Sequence, residues 1–188
     1  MDFKPYTDLR RELKKHHAFG IVSSDAYERF REALSKMKPK FDTGLSEEDE
    51  KTYVRDFLNQ AFYEGRNAIR LGARNNIDCQ VHISHDGESP VGVIIENKYS
   101  RSKGNEMVRD GDLLHKAFYE TILYFFRERE SKNNSIRRIV ITNMETWFVF
   151  DTIGYFIVPV CSINIVTMWQ SGSRMSAQQL FMLNVRNL

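Results

Sequence analysis

Hydrophobic and polar residues alternate strictly over residues 77–83. A period of two is typical of a strand with one buried face, here formed by Ile77, Cys79, Val81 and Ile83. Residues 84–90 are rich in Gly, Pro, Asp and Ser, and residues 91–98 are a β-branched apolar run that ends in charged side chains. The pattern predicts a β-hairpin whose second strand is buried and ends at a functional site.

Apolar residues at helical spacing lie on both sides of this hairpin. Ser23 to Asp25 supply an N-cap for the second of two expected N-terminal helices, and Ser46 opens the next helix with a capping box and an acidic first turn. Residues 112–130 predict a long helix that Asp112 caps and that packs across a sheet. Its wide apolar face comprises Leu113, Leu114, Ala117, Phe118, Ile122, Leu123, Phe125 and Phe126.

Two further strands are predicted after the long helix, at residues 136–142 and 147–151, and a short one within residues 66–76. A strand, a helix and a strand in succession predict a right-handed parallel crossover. We therefore expect an α/β fold with a mixed central sheet flanked by helices. The expected regions are a helical N-terminal extension (1–46), a core (47–151) and a tail packed on the core (152–188). The tail is either an additional strand with a short helix or the product of a truncated or frame-shifted gene.

Composition narrows the class of protein. The 188 residues are 41% hydrophobic, which suits one domain, with or without an appendage. The formal net charge of +2 gives no argument for nucleic-acid binding by itself. Cys79 and Cys161 lack metal-ligand spacing. We expect a cytoplasmic chain without a membrane partner, because no apolar run reaches membrane-spanning length and the N-terminus does not resemble a signal peptide.

The charged end of the second strand carries the candidate chemistry. Glu96 and Lys98 are two residues apart, so both side chains leave the same face. If Asp78 lies opposite them, two carboxylates and one ammonium converge. Two carboxylates about 4 Å apart repel by roughly 4 kcal/mol at an effective dielectric near 20, which a shared proton, the lysine or a divalent cation would offset. Mg²⁺ suits such a site because it takes one or two carboxylates and keeps waters. The alternative is a solvated Glu96–Lys98 pair.

An Asp, a hairpin turn and Glu-x-Lys at a strand end together resemble the active-site signature of the PD-(D/E)xK nuclease superfamily. Longer stretches over about residues 47–151 resemble the N-terminal endonuclease region of type IIG restriction-modification enzymes. These stretches are RDFLNQAFY, IDCQVHI, VGVIIENK, KAFYETILYFFRERE and IVITNMETWFVFD.

This resemblance implies a restriction-endonuclease-like core and a hydrolase that cuts double-stranded DNA with Mg²⁺, for which Mn²⁺ can substitute. It implies Asp78, Glu96 and Lys98 as catalytic residues, with Asp78 and Glu96 as metal ligands. The chain lacks the Asn-Pro-Pro-Tyr-type motif of the adenine-specific methyltransferase that follows in those enzymes. A methyltransferase or specificity subunit encoded nearby is therefore an expected partner.

Other polar residues are additional candidates for the same site. Glu64 and Asp56, from the helix before the hairpin, are candidates for a further carboxylate, and Gln80 and Glu120 are additional candidates. Lys116 and Glu120 most simply form an i, i+4 surface pair, although one of them reaching the site is the alternative. The candidate contacts for DNA phosphates, which are equally typical of ordinary surface loops, are Arg70, Arg74, Arg101 and Lys103.

The function predicted from these features is that of a Mg²⁺-dependent DNA endonuclease domain. Asp78 and Glu96 would hold the metal, and Lys98 would orient or activate the attacking water. The alternative is a catalytically inactive, truncated DNA-binding or interaction module of the same fold, and a third reading is a nuclease acting on RNA or branched DNA. Because many nucleases of this fold dimerise to cut both strands, a homodimer is a further expectation.

Overall fold

The computed structural model describes residues 23–41, 43–63, 69–71, 77–83, 89–101, 105–153 and 156–165. Its helices are α1 (Ser24–Met37), α2 (Glu47–Leu58) and α3 (Lys116–Glu130). Its strands are β1 (Ile69–Leu71), β2 (Cys79–His82), β3 (Val91–Asn97), β4 (Arg138–Thr142), β5 (Thr146–Ile153) and β6 (Phe156–Asn164). A 3₁₀ turn, Lys38–Lys40, follows α1, and a π-helical turn, Asn59–Tyr63, follows α2.

All six strands belong to one mixed sheet in the order β1-β2-β3-β4-β5-β6. Neighbouring strands are antiparallel except β3 and β4, which pair in parallel and are connected through α3. Two consecutive parallel strands need such a crossover, because the chain must return to the end of the sheet where the first strand began. The predicted α/β class with a mixed sheet is therefore confirmed.

Helices cover both faces of the sheet. Val93 and Ile95 of β3 belong to the core cluster formed with α1 and α2, whereas Ile94 belongs to the cluster formed with α3. The same alternation in β5 sends Trp147 to the first cluster and Phe148 to the second. Burying one large apolar side chain stabilises a fold by about 1.5–3 kcal/mol, so two such clusters fix the helices against the sheet.

The predicted starts of α1 and α2 are confirmed by their caps. The Ser23 side chain accepts a hydrogen bond from the Ala26 amide. Ser46 and Asp49 form the reciprocal capping box, each side chain accepting from the other residue's backbone amide at 3.2 Å. Ser or Asp at these positions satisfies amides that the first helical turn would otherwise leave without partners.

The prediction of a single buried face for β2 was wrong. All four residues of β2 are buried, including Gln80 and His82, because β2 pairs with strands on both sides and helices cover both faces of the sheet. Ile83, assigned to the buried face, is 47% exposed and follows a register shift at Val81/His82. A bulge of this kind changes which side of the sheet the following residues face.

The predicted start and apolar face of the long helix also need correction. α3 begins at Lys116, after His115, and Asp112 instead pairs with Arg109 in an isolated β-bridge. Leu114, Leu123 and Phe126 are more than 40% exposed, so the apolar surface is wider than the part that contacts the sheet. A helix that packs on a sheet buries only the stripe of side chains that faces the sheet.

The additional strand expected in the tail is present as β6, which pairs with β5 over the whole length of both strands. The boundary predicted at 151/152 falls inside β5. The expected short tail helix and the first of the two N-terminal helices fall on residues outside those described. None of the helices in the described part of the chain is both long and apolar enough to cross a membrane.

Candidate active site at the ends of β2 and β3

Asp78 and Glu96 lie at the same end of the sheet. The Cys79–Ile95 pair is the last pair between β2 and β3. Asp78, just before β2, and Glu96 of β3 are therefore the next residues along the two strands. The Asn97 amide donates to Asp78 Oδ2 at 3.0 Å, which holds this carboxylate against the end of β3. The expected placement of Asp78 opposite the charged end of the second strand is therefore found in the structure.

Lys98 lies between two carboxylates. Its Nζ is 2.6 Å from Glu96 Oε1, and it also donates to Glu120 Oε2 of α3. The Lys98 amide donates to the Thr142 carbonyl at the end of β4 at 2.7 Å, so the parallel strand pair fixes its backbone. Glu120 was expected either to form a surface pair with Lys116 or to reach the site. In the structure it reaches the site and contacts Lys98. Lys116 pairs instead with Glu106, at 2.9 Å.

Helix α2 contributes a lysine, directly after its first turn, that the sequence analysis missed. Lys51 Nζ lies 3.0 Å from Asp78 Oδ1 and 3.0 Å from Glu47 Oε1. The sequence signal was a lysine directly after four acidic residues of the first helical turn. That signal was interpreted only as a favourable interaction with the helix dipole.

Glu50, also missed, holds the segment that follows Lys98. This carboxylate is 3% exposed and accepts hydrogen bonds from the Ser100 amide at 2.9 Å and the Ser100 hydroxyl at 2.5 Å. The Tyr99 hydroxyl donates to the Leu45 carbonyl at 2.9 Å. The start of α2 therefore anchors the chain on both sides of the site, through Lys51 to Asp78 and through Glu50 to Ser100.

The electrostatics of the site follow from one buried acid, Glu96, with two partly exposed acids and two lysines near it. Burial raises the pKa of Glu96 to about 8; the Asp78 carboxylate adds to this rise and Lys98 opposes it. Burial by itself lowers the pKa of Lys98, but Glu96 and Glu120 outweigh it, so the net pKa is raised. The pKa of Lys51 is raised for the same reason: burial lowers it, but the nearby Asp78 and Glu47 carboxylates raise it by more. The raised pKa of Glu96 favours its protonated form, and the raised pKa values of Lys98 and Lys51 favour their charged forms.

The donor set fits a magnesium ion in its chemistry. Glu96 Oε2 is buried and makes no hydrogen bond within the described part of the chain, and Asp78 supplies a second carboxylate at the same sheet end. Mg²⁺ requires only one or two carboxylates, with waters completing its shell. Across the described ranges, however, no three His, Cys, Asp or Glu side chains are grouped so that they could hold a metal ion.

The other predicted residues are placed as follows. Gln80 is buried within β2. Asp56 lies on α2 and contacts Arg55, its own neighbour in the chain, rather than the site. Arg101, three residues after Lys98, is exposed. Only the backbone of Arg70 is described, as part of β1. The remaining candidates, Glu64, Arg74 and Lys103, lie outside the described residues.

Comparison with known proteins gives one match. No curated protein and no solved structure matches the chain. A family model described as "Domain of unknown function (DUF7149)" matches residues 7–160, which include every residue of the site just described. Since this match covers most of the 188 residues, the chain belongs to the DUF7149 family of domains.

Proposed function

We propose that this chain is a Mg²⁺-dependent endonuclease domain that hydrolyses phosphodiester bonds in double-stranded DNA. The observation that carries the proposal is the Lys98 ammonium, held between Glu96 and Glu120 at the strand end where Asp78 also lies. The mixed sheet with helices on both faces supports a restriction-endonuclease-like core as the finer fold assignment. The proposed relationship is to the cleavage module of type IIG restriction-modification enzymes.

Lys98 would orient the reacting groups and stabilise charge. Its raised pKa keeps it an ammonium at neutral pH, so it acts as a hydrogen-bond donor rather than as a base. An ammonium has three N–H donors, and Glu96 and Glu120 engage two of them. The third would donate to a non-bridging phosphate oxygen, where charge develops during the displacement. Glu120 is thus a positioning residue, because it acts by holding Lys98.

Asp78 and Glu96 would hold the metal ion, whose bound form supplies Lewis-acid polarisation of the phosphate and a more acidic water. In this role the two carboxylates must both be ionised. Asp78 is already paired with the Lys51 ammonium. Glu96 would lose its proton when the metal ion binds. Both carboxylates are fixed by backbone and ion-pair contacts, so they would bind without large rearrangement.

The proposed substrate would approach the site near Arg101. Arg101 lies three residues beyond Lys98 and is exposed, which suits a contact with the DNA backbone. Arg70, Arg74 and Lys103 are proposed for the same role on sequence grounds. A methyltransferase or specificity subunit encoded nearby would supply the sequence recognition.

Cleavage of supercoiled plasmid tests the proposal. We expect nicking in Mg²⁺ or Mn²⁺ by the unmodified chain and a loss on the order of 10²-fold or more in Glu96→Gln and Lys98→Met. Both substitutions keep the approximate shape of the side chain. Lys36→Met is the matched control, because Lys36 is an exposed lysine of α1 whose contacts are with Glu32 and Gln60, outside the site. Nicking that survives in both site variants would refute the assignment.

A second candidate function has its own supporting observation. Each carboxylate at the strand end already carries a lysine, Asp78 through Lys51 and Glu96 through Lys98. Such mutual neutralisation suits a non-catalytic DNA-binding or interaction module of the same fold. That module would bind duplex DNA with a salt-dependent affinity, which Arg101→Met would reduce, and would cleave no DNA in Mg²⁺ or Mn²⁺.

A further inference from the structure

Lys51 is held by one carboxylate of the candidate site and by two carboxylates of its own helix. Its Nζ lies 3.0 Å from Asp78 Oδ1, 3.0 Å from Glu47 Oε1 and 3.3 Å from Glu48 Oε1. The Asp78 side chain is 16% exposed, whereas those of Glu47 and Glu48 are 53% and 85% exposed. Lys51 can therefore leave Asp78 and still keep two ion-pair partners nearer to solvent.

The two oxygens of Asp78 are held in different ways. Oδ2 accepts a hydrogen bond from the Asn97 amide at 3.0 Å, and Asn97 is the last residue of β3. This contact is fixed by the position of a strand. Oδ1 is held by Lys51, whose ammonium is carried on a flexible four-carbon stem. Of these two contacts, the one with Lys51 is therefore the one that a side-chain movement can exchange.

We propose that Lys51 sets the affinity of the site for divalent cations by competing with the cation for Asp78, an inference that rests on the proposed metal role of Asp78. An ammonium and a divalent cation at the same carboxylate oxygen repel each other, so Lys51 leaves Asp78 when the cation binds there. Lys51 then remains with Glu47 and Glu48, four and three positions earlier on the same helix, a spacing at which Glu and Lys attract.

The competition is between two cations, because Lys51 stays charged. Burial lowers the pKa of Lys51, but Asp78 and Glu47 raise it by more, so the side chain is an ammonium at neutral pH. Lys51 therefore frees Asp78 by moving rather than by losing its proton. Lys98, the other lysine of the site, is held by a different pair of carboxylates, those of Glu96 and Glu120.

Mn²⁺ binding to the full chain tests the proposal, with the free ion measured by electron paramagnetic resonance. If Lys51 holds Asp78 in about nine-tenths of the molecules, the apparent dissociation constant is about tenfold above the intrinsic one. We therefore expect Lys51→Met to bind Mn²⁺ about tenfold more tightly than the unmodified chain. Lys36→Met is the matched control, because it removes the same charge from an exposed position of α1. Its dissociation constant should stay within about twofold of that of the unmodified chain.

A second set of variants tests where the lysine goes. E47Q/E48Q removes its two alternative partners, so Lys51 stays on the site carboxylate for more of the time and Mn²⁺ binding should weaken by about fivefold. In the Lys51→Met background the same two substitutions should change the dissociation constant by less than about twofold, because no lysine is left to redirect. E28Q/E32Q is the control, since it removes two exposed glutamate charges from α1.

Asp78→Asn separates this inference from the proposed function. If Asp78→Asn binds Mn²⁺ like the unmodified chain, or if none of the proteins binds it, Asp78 is not a metal ligand and both proposals fail. If Mn²⁺ binds through Asp78 with equal or lower affinity in Lys51→Met, only the competition is overturned. Tighter binding in Lys51→Met that Asp78→Asn abolishes confirms it. Circular dichroism establishes that each variant is folded, and E47Q/E48Q decides the question if Lys51→Met is not.

Discussion

Lys51 Nζ lies 3.0 Å from Asp78 Oδ1, so the start of α2 supplies the counter-ion for the carboxylate just before β2. Each of the two side chains is only 16% exposed, which makes this contact more than a surface ion pair. The same helical turn binds Ser100 through Glu50. Helix α2 thus holds the candidate site from both sides, and its contribution to stability can be measured.

Replacing Lys51 by Met should lower the free energy of unfolding by about 1–3 kcal/mol. The substitution keeps much of the apolar stem but leaves Asp78, which is 16% exposed, without its cation. The loss for such a partly buried pair exceeds that for an exposed pair. Urea unfolding measures the change. Lys36→Met removes an exposed i, i+4 pair with Glu32 and an exposed hydrogen bond to Gln60, and it should cost about 0.5 kcal/mol or less. Equal losses in the two variants would contradict a special role for Lys51.

Glu96 should make stability depend on pH. Its pKa is about 8 in the folded chain, against 4.5 for an unperturbed glutamate. The folded state binds this proton more tightly, so the stabilisation is complete below about pH 4.5 and is lost as the pH rises through about 8. In buffer with a chelator, the free energy of unfolding of the unmodified chain relative to Glu96→Gln should fall across this range.

Thermal unfolding of both proteins across the same pH range provides the measurement. Glu28→Gln is a suitable control because Glu28 is an exposed glutamate of α1. Its unfolding curve should follow that of the unmodified chain at every pH. If the Glu96→Gln curve also ran parallel, Glu96 would have an ordinary pKa in the folded chain.

A divalent cation should stabilise the folded chain through Asp78 and Glu96. At free Mn²⁺ about 100-fold above its dissociation constant, we expect a gain of about 2.7 kcal/mol. Asp78→Asn should lose this gain, whereas Asp25→Asn, at an exposed position of α1, should keep it. Because burial raises the pKa of Glu96 to about 8, metal binding near neutral pH should also release a proton, which calorimetry in two buffers of different ionisation enthalpy detects. A gain that survives in Asp78→Asn would place the metal elsewhere.

Glu50→Ala should destabilise the chain by about 1.5–3 kcal/mol, because Ser100 loses two hydrogen bonds to a buried carboxylate. Hydrogen exchange of the Ser100 amide should accelerate more than that of amides in α1. Glu48→Ala is the matched control, since Glu48 belongs to the same helical turn but is 85% exposed in its side chain. Comparable exchange in the two variants would mean that Glu50 does not hold this segment.

Several features of the fold were predictable from local sequence because their causes are local. The caps of α1 and α2 depend on side chains within three residues of the amides that they satisfy. The alternation in β3 follows from the geometry of an extended chain, which also places Glu96 and Lys98 on one side. The burial of both faces of β2 was not predictable from its own pattern, because it depends on β1, β3 and the helices around it.

The sequence by itself determined the pairing of β2 with β3, the starts of α1 and α2, and the placement of Glu96 and Lys98 on one side, since residues close in the chain decide them. Only the tertiary structure decided that Glu120, rather than Asp56, reaches Lys98 and that Lys51 pairs with Asp78. These contacts join residues 22 and 27 positions apart, and they depend on how α3 and α2 pack against the sheet. Local periodicity specifies which face of a helix is apolar, whereas the docking of that face decides which charged side chain meets the strand end.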